Sequence, residues 1–413
     1  MIGEHEATTE VSLADIRLAA AAGAGIVRTT PVVTSGSLSE RAGGPVVLKA
    51  ENLQRTGSFK LRGALAKLAA LGDECAPGVV TASAGNHGQA LAYAARARGI
   101  RCVVFMPAQA AISKVEAATA LGATVHLTGL TVEESLAEAR AAAADERLAF
   151  VHPFDDPIVI AGQGGVGLEL LEQAPSGALT VLAPVGGGGL ASGVAIALKS
   201  ARPDIRVVGV QVENCAPFVA SIEAGRAVAV DSAMTIADGI AVKRPGRVTL
   251  PLIDRWLDEL VVVGEDDVAE AMVFLLERAK LVVEGAGAVG VAALLAGRVR
   301  PRADGTTVAI LSGGNVDPGL LGEIVRRHES QIGRRLVVLA CVSDRPGSLA
   351  RLLTLVAEQG ANLLDVIHVR EGFDLHVRET AVQLVLETRG QGHAEQVRRA
   401  IRDAGYADAR VLR

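Results

Sequence analysis

The chain has 413 residues, half of them apolar, with 46 glycines and a net charge of −5. That length exceeds one ordinary core and suits two or three domains. The mildly acidic balance gives no reason to expect nucleic acid, and the longest apolar run, AGAVGVAALLAG after Glu284, is too short and too glycine-rich to span a bilayer.

The opening stretch MIGEHEATTEV is polar and acidic, without the charged-then-apolar pattern of an export signal. Apolar strand-like runs then alternate with Ala/Leu-rich helical stretches. Strands are predicted at 46–50, 78–83, 101–107, 124–129, 179–186, 206–212, 259–264 and 307–313. Helices are predicted at 86–99, 112–121, 132–144, 189–200 and 266–280. This alternation marks βα units on a mainly parallel sheet, with ligands at the C-terminal ends of the strands. Near 324–335 the pattern changes to IVRRHESQIGRR, read as a helix end and linker. Beyond it lie a strand (RLVVLACVS), a helix closed by Gly360, two strands (ANLLDVIHVRE and ETAVQLVLET), a second helix and a short last strand, ARVLR. That order, βαββαβ, is ferredoxin-like. Cys75, Cys102, Cys215 and Cys341 show no CxxC spacing, which predicts free thiols in a reducing cytoplasm.

Several strand ends carry chemistry. In ENLQRTGSFKLRGA (51–64), Lys60 sits between Phe59 and Leu61 after a Thr-Gly-Ser turn signal, a setting that suits a reactive amine. PVGGGGLASG (184–193) follows a strand and precedes a helix, so bare backbone can approach an anion; the phosphate-cradle reading is favoured over a plain tight turn. No Walker lysine follows it. GxGxxG occurs at 162–167 and 285–290, in neither case in a strand–turn–helix context, so both are read as packing glycines. In SAGNHG (83–88), Ser83 is a good cap type, Asn86 suits either a phenolic oxygen or the backbone, and His87 is held to be structural. Ser312 in SGGNVD is either a cap or a neutral donor to a ring nitrogen, and Glu284 is a weak signal on its own, open to the reading of a solvated helix-start charge. A phosphate cradle and a reactive lysine together point to a phosphorylated aldehyde cofactor, pyridoxal phosphate.

The motifs ENLQRTGSFKLRGA, SAGNHGQALA, HPFDDPIVIAGQG, PVGGGGLASG, TIADGIAVKRPG, EGAGAVG and SGGN occur in the order seen in one family. Over nearly its whole length the chain resembles the threonine dehydratases (threonine ammonia-lyases) among the fold-type II pyridoxal-phosphate enzymes. The resemblance implies two open, mainly parallel α/β subdomains within residues 1–323, the smaller at about 47–152. A linker at 324–334 and an appended domain at 335–413 follow. It implies Lys60 as the Schiff-base lysine, Asn86 beside the cofactor's ring oxygen, and Gly186, Gly187, Gly188, Gly189 and Leu190 as the phosphate loop. Ser312 falls beside the pyridine nitrogen. Ser83, Gly85, Asn86 and His87 fall at the substrate carboxylate, and Phe154 falls at the side-chain pocket. The implied activity is β-elimination of threonine to 2-oxobutanoate and ammonia, and of serine to pyruvate, in a cytoplasmic homodimer or homotetramer.

Departures and alternatives narrow this. Serine racemases carry a serine where this chain has Ala84. Their metal site is poorly matched: Glu213 has a counterpart, but the second acid falls at Val219, so no metal is expected. Gly165 stands where the dehydratases usually have threonine, near the expected active-site wall. The C-terminal part, with DRPGSL at 344–349, resembles an ACT domain, which implies an amino-acid effector or subunit pairing. Other β-elimination or replacement enzymes of the same fold, and a non-catalytic amino-acid sensor, remain as alternatives.

Overall fold

A computed structural model describes residues 10–83, 85–231, 234–370, 376–406 and 410–411. By internal contacts the chain divides into residues 1–317 and 318–413.

The first unit is built on two sheets. The larger has the strand order Val32–Thr34, Val46–Lys49, Gly305–Ile310, Ala178–Pro184, Arg206–Val212 and Glu259–Val263, parallel except for the first pair. The smaller is wholly parallel, in the order Thr124–Leu127, Cys102–Met106, Val79–Ala82 and Ala149–Phe150. The strand Val46–Lys49 thus belongs to the larger sheet, and the smaller sheet runs from Val79 to Phe150.

Burial on both faces explains why these strands read as continuous apolar runs rather than alternating ones. Val79, Val80 and Ala82 are fully buried, as are Val181, Leu182 and Ala183. The helix Gly285–Leu295 is buried all round and lies against the larger sheet, so the longest apolar run of the sequence is a core helix. The two GxGxxG stretches are packing devices, as expected. A Cβ on Gly162 would lie 2.6 Å from Gly63 Cα, and one on Gly287 2.6 Å from the Gly313 carbonyl oxygen. Among the described residues, no helix is long and apolar enough to cross a membrane.

The predicted helix at 266–280 is α-helical over Glu265–Phe274 and ends in a π-turn, Leu275–Ala279, at Lys280 with φ 59°. The strands Val32–Thr34 and Ala149–Phe150 have no counterpart among the predicted ones. They span three and two residues, too few for any periodicity to show.

In the second unit a helix, Pro318–Gln331, occupies most of the stretch read from sequence as helix end and linker. It is followed by an antiparallel sheet in the order Asn362–Val369, Glu379–Glu387, Arg335–Ser343 and Arg410–Val411. The helices Ser348–Glu358 and Gln391–Asp403 cover one face, and Val338, Leu384, Val356 and Val397 are among the side chains that form the core between them. This is the ferredoxin-like βαββαβ arrangement. Of the expected last strand at 409–413, only Arg410–Val411 fall within the described residues.

Candidate active site

Lys60 opens the helix Lys60–Leu71, and the segment before it is stitched to the end of the strand Gly305–Ile310. Ser58 forms an isolated bridge with Gly313, and the Phe59 N–H donates to the Ser312 carbonyl at 3.1 Å. Gly57 has φ 72°, and a Cβ there would lie 2.3 Å from Asn315 Oδ1, so the turn needs glycine twice over. These bonds put Lys60 and Ser312, far apart in sequence, on one wall.

Lys60 Nζ donates to the Pro153 carbonyl at 2.8 Å. Burial lowers its pKa to about 8, with the Glu284 carboxylate pulling the other way. The positive end of its own helix also disfavours an ammonium there. A free amine is therefore available near neutrality. Attachment of pyridoxal phosphate to cofactor-free protein requires that amine unprotonated, so the attachment rate is expected to rise with pH up to about 8 and then level. An ordinary lysine would keep rising to about pH 10. Stopped-flow absorbance across a pH series reads the difference.

Two residues on, Arg62 faces away from this wall into a buried ion cluster. Its Nε and Nη2 donate to both Glu51 oxygens at 2.8 and 2.7 Å, and its Nη1 to Glu169 at 2.7 Å. Lys49 Nζ completes the cluster, donating to the Thr30 carbonyl at 2.7 Å and to Glu169. Both residues of the Arg62–Glu51 pair are at most 5% exposed.

The segment 83–87 follows the strand Val79–Ala82. Ser83 does not cap the next helix: its Oγ accepts the Gly85 N–H at 3.1 Å, and Gly85 itself is the cap of Asn86–Arg96. Position 84 lies outside the described residues. His87 is buried; its Nε2 donates to the Val151 carbonyl at 3.2 Å while its buried Nδ1 has no protein partner. Burial, with Lys60 nearby, pushes its pKa down to about 3, so the ring is neutral. HPFDDP is structural around Phe154. His152 Nδ1 accepts the Asp155 N–H at 2.8 Å, the Asp155 carboxylate accepts from the backbone N–H groups of 247–249, and Asp156 caps the helix Pro157–Gln163.

Phe154 is wedged against the glycine loop. A Cβ on Gly187 would fall 2.2 Å from Phe154 Cγ, and one on Gly186 2.7 Å from Ile240 Cα. Gly188 has φ 89°, a conformation that suits glycine. No side chain but hydrogen fits at these positions, so the backbone itself forms the surface. The helix Gly189–Ala201 begins there, and its first N–H groups lack intrahelical acceptors. That is an anion cradle.

These elements enclose one cavity of about 500 Å³. Every sequence-predicted residue of the site lines it: Lys60, Ser83, Gly85, Asn86, His87, Phe154, Gly186 to Gly189, Leu190 and Ser312. The size is ordinary for a small-molecule site. The residues fit a phosphorylated ring. The cradle is shaped for a phosphate, an amine of lowered pKa is at hand for an aldehyde, and the Ser312 hydroxyl offers a neutral partner to a ring nitrogen.

Two readings are corrected. Glu284, open from sequence to the reading of a solvated charge, is 5% exposed and lines the cavity. Gly165 is absent from the cavity lining; it borders a separate cavity of about 350 Å³ beside Arg62 and Glu169. Sequence reasoning also missed Lys114 and Asp238, an ion pair at the cavity whose partners lie on helix Ile112–Ala120 and turn Asp238–Ile240. No local signal marks either, because the pair joins residues 124 apart. Among the described residues, no three His, Cys, Asp or Glu side chains gather as a cation site.

A pyridine-aldehyde cofactor site at the strand ends of an open, mainly parallel α/β unit defines the class: the chain belongs to the family of pyridoxal-phosphate dependent enzymes, whose family model matches residues 24–313. Within it, the chain is similar to the L-threonine ammonia-lyase of Thermotoga maritima, at 45% identity over 398 residues, 96% of this chain and 98% of that protein. The catabolic L-threonine dehydratase of Escherichia coli is 43% identical, over 73% of this chain and 92% of its own length. Among solved structures, a T.th. threonine deaminase superposes with a TM-score of 0.70 at 42% identity, covering 74% of this chain and 99% of that one. Maize serine racemase superposes at 0.72 and 34% identity, covering 78% and 98%.

Proposed function

We propose that this chain is a threonine ammonia-lyase, eliminating the β-hydroxyl of L-threonine to give 2-oxobutanoate and ammonia, and of L-serine to give pyruvate. One observation carries the reading. Lys60, the glycine cradle and Ser312 meet in a single cavity, in a chain that aligns along 96% of its length with an L-threonine ammonia-lyase.

When bound, pyridoxal phosphate supplies an electron-accepting ring to the substrate's Cα. The chain's residues do the rest. Gly186 to Leu190 would hold the phosphate, Asn86 would meet the ring oxygen, and Ser83, Gly85, Asn86 and His87, which line the cavity at the start of a helix, would take the substrate carboxylate. Phe154 borders the side-chain pocket. Lys60 Nζ would anchor the cofactor, and its free amine would serve as the general base at the substrate's Cα. A pKa near 8 suits both roles. Ser312, a weak acid, would offer the ring nitrogen a neutral hydrogen-bond partner rather than a charged one. His87, neutral and bonded to backbone, orients rather than transfers protons.

Position 84 is alanine, so the chain lacks a hydroxyl for a second-face proton transfer there, which disfavours a racemase. We assign residues 1–323 to catalysis, with 324–334 leading into an ACT-type unit at 335–413 that binds an amino-acid effector, in a cytoplasmic homodimer or homotetramer. The ferredoxin-like topology of the second unit supports that assignment.

The test is release of 2-oxo acid from a panel of 3-hydroxy amino acids, with and without isoleucine and valine. Threonine and serine are expected to yield product, and an added branched-chain amino acid to change the rate. Cofactor-bound protein that gives no oxo acid from any member would leave a non-catalytic sensor as the better reading.

A further inference from the structure

Glu284 precedes the helix Gly285–Leu295 and is held against the Ser312 segment. Its backbone N–H donates to the Gly313 carbonyl at 3.1 Å. A Cβ on Gly313 would lie 2.3 Å from Glu284 Oε1, so the close approach needs a glycine. Glu284 Oε1 accepts from Asn86 Nδ2 at 2.7 Å. On the other side, Asn86 Oδ1 accepts from Asn315 Nδ2 at 2.7 Å, and the same Asn315 nitrogen donates to the Thr56 carbonyl at 2.8 Å.

A side-chain amide has two orientations, related by a flip that exchanges oxygen and nitrogen. Here the neighbours allow one. Asn315 presents N–H to Asn86 and Glu284 presents oxygen, so the flipped amide would set donor against donor and acceptor against acceptor. In the permitted orientation one Nδ2 hydrogen is used by Glu284 and the other is spare, on a residue that lines the cavity. We propose that Glu284 and Asn315 are positioning residues that lock the Asn86 amide as a hydrogen-bond donor towards the phenolic oxygen of the cofactor ring. This rests on the functional reading above.

The charged and polar groups around Glu284 come from four elements: Asp238 on its turn, Lys114 and Lys60 on their helices, and the amide of Asn86. Burial first, then Asp238, pushes Glu284 up to about 7, against the pull of Asn86 and the two lysines. A protonated Glu284 still has a carbonyl oxygen, so the lock holds in either state. That separates orientation from charge.

The test titrates pyridoxal phosphate into cofactor-free protein and follows affinity and the absorbance of the bound cofactor. Glu284→Ala and Asn315→Asp are each expected to weaken binding about tenfold. They should also shift the absorbance towards the form with a protonated ring oxygen. Glu284→Gln retains an acceptor oxygen and should stay within about twofold of the parent. In an Asn86→Ala background, Glu284→Ala should add no further loss. Unchanged affinity and absorbance in both Glu284→Ala and Asn315→Asp would overturn the proposal. So would a Glu284→Gln loss equal to that of Glu284→Ala, or a full additional loss on top of Asn86→Ala. Should circular dichroism show Glu284→Ala unfolded, Asn315→Asp alone and combined with Asn86→Ala decides by the same criteria. Absence of any Lys60-dependent cofactor absorbance in the parent would instead overturn the functional reading. Intact absorbance with unmoved variants would overturn this inference alone.

Discussion

Lys60→Ala is expected to lower turnover of threonine by at least about a thousandfold, because general-base catalysis alone contributes about 10² to 10⁴ and the covalent anchor is lost with it. The glycine loop is untouched, so the variant should still take up pyridoxal phosphate without the absorbance of a lysine-linked cofactor. The Lys60 side chain reaches the cavity and ends near the Pro153 carbonyl. Alanine leaves room there for a small primary amine, and added methylamine should restore part of the rate. Steady-state kinetics with and without the amine checks both points. Turnover near that of the parent would remove Lys60 from the chemistry.

The second large effect is on stability. Arg62→Leu removes both guanidinium bonds to Glu51, whose side chain is fully buried, and the bond to Glu169. An uncompensated buried carboxylate costs about 3–5 kcal/mol. Lys49 still serves Glu169, so the loss falls mainly on Glu51. Since Glu51 begins the segment that carries Lys60, cofactor affinity should fall with stability. The double variant Glu51→Leu/Arg62→Leu should lose less than the sum of its parts, because it leaves no unpaired charge at position 51. Urea unfolding of the parent, the two single variants and the double variant reads these differences. A loss below about 1 kcal/mol in Arg62→Leu would contradict a buried pair of this kind.

What could be read from sequence depended on whether the signal was local. Lys60, Asn86, the glycine loop and Ser312 each sit in a short stretch that follows or precedes a strand, and runs of small residues there announce backbone exposed to a ligand. Their meeting in one cavity follows from parallel-sheet topology, which places strand ends together. That Phe154 would line the cavity was legible through family resemblance alone, since nothing in HPFDDP itself shows that its phenylalanine packs on Gly187. Glu284 was not legible. An acid at a helix start is ordinarily solvated, and its burial depends on Gly313 and the turn Asp238–Ile240, both distant in sequence. Asn315 belongs to the visible SGGN motif, yet its bond to Asn86 spans 229 positions. Gly165 was placed near the active-site wall by the family resemblance, as a departure from the usual threonine. The helix break at Gly164 turns it instead towards Arg62. The charged stretch 324–335 looked like a linker because charge hides helical periodicity, and only Ile324 of its helix is buried.

Borohydride reduction of the cofactor-bound protein, followed by peptide mapping, tests the central claim most directly, because reduction fixes the cofactor to whichever lysine holds it. The account predicts the pyridoxyl group on Lys60, lost in Lys60→Ala. Labelling of Lys114, the other lysine lining the cavity, or of no lysine in the cavity, would contradict it.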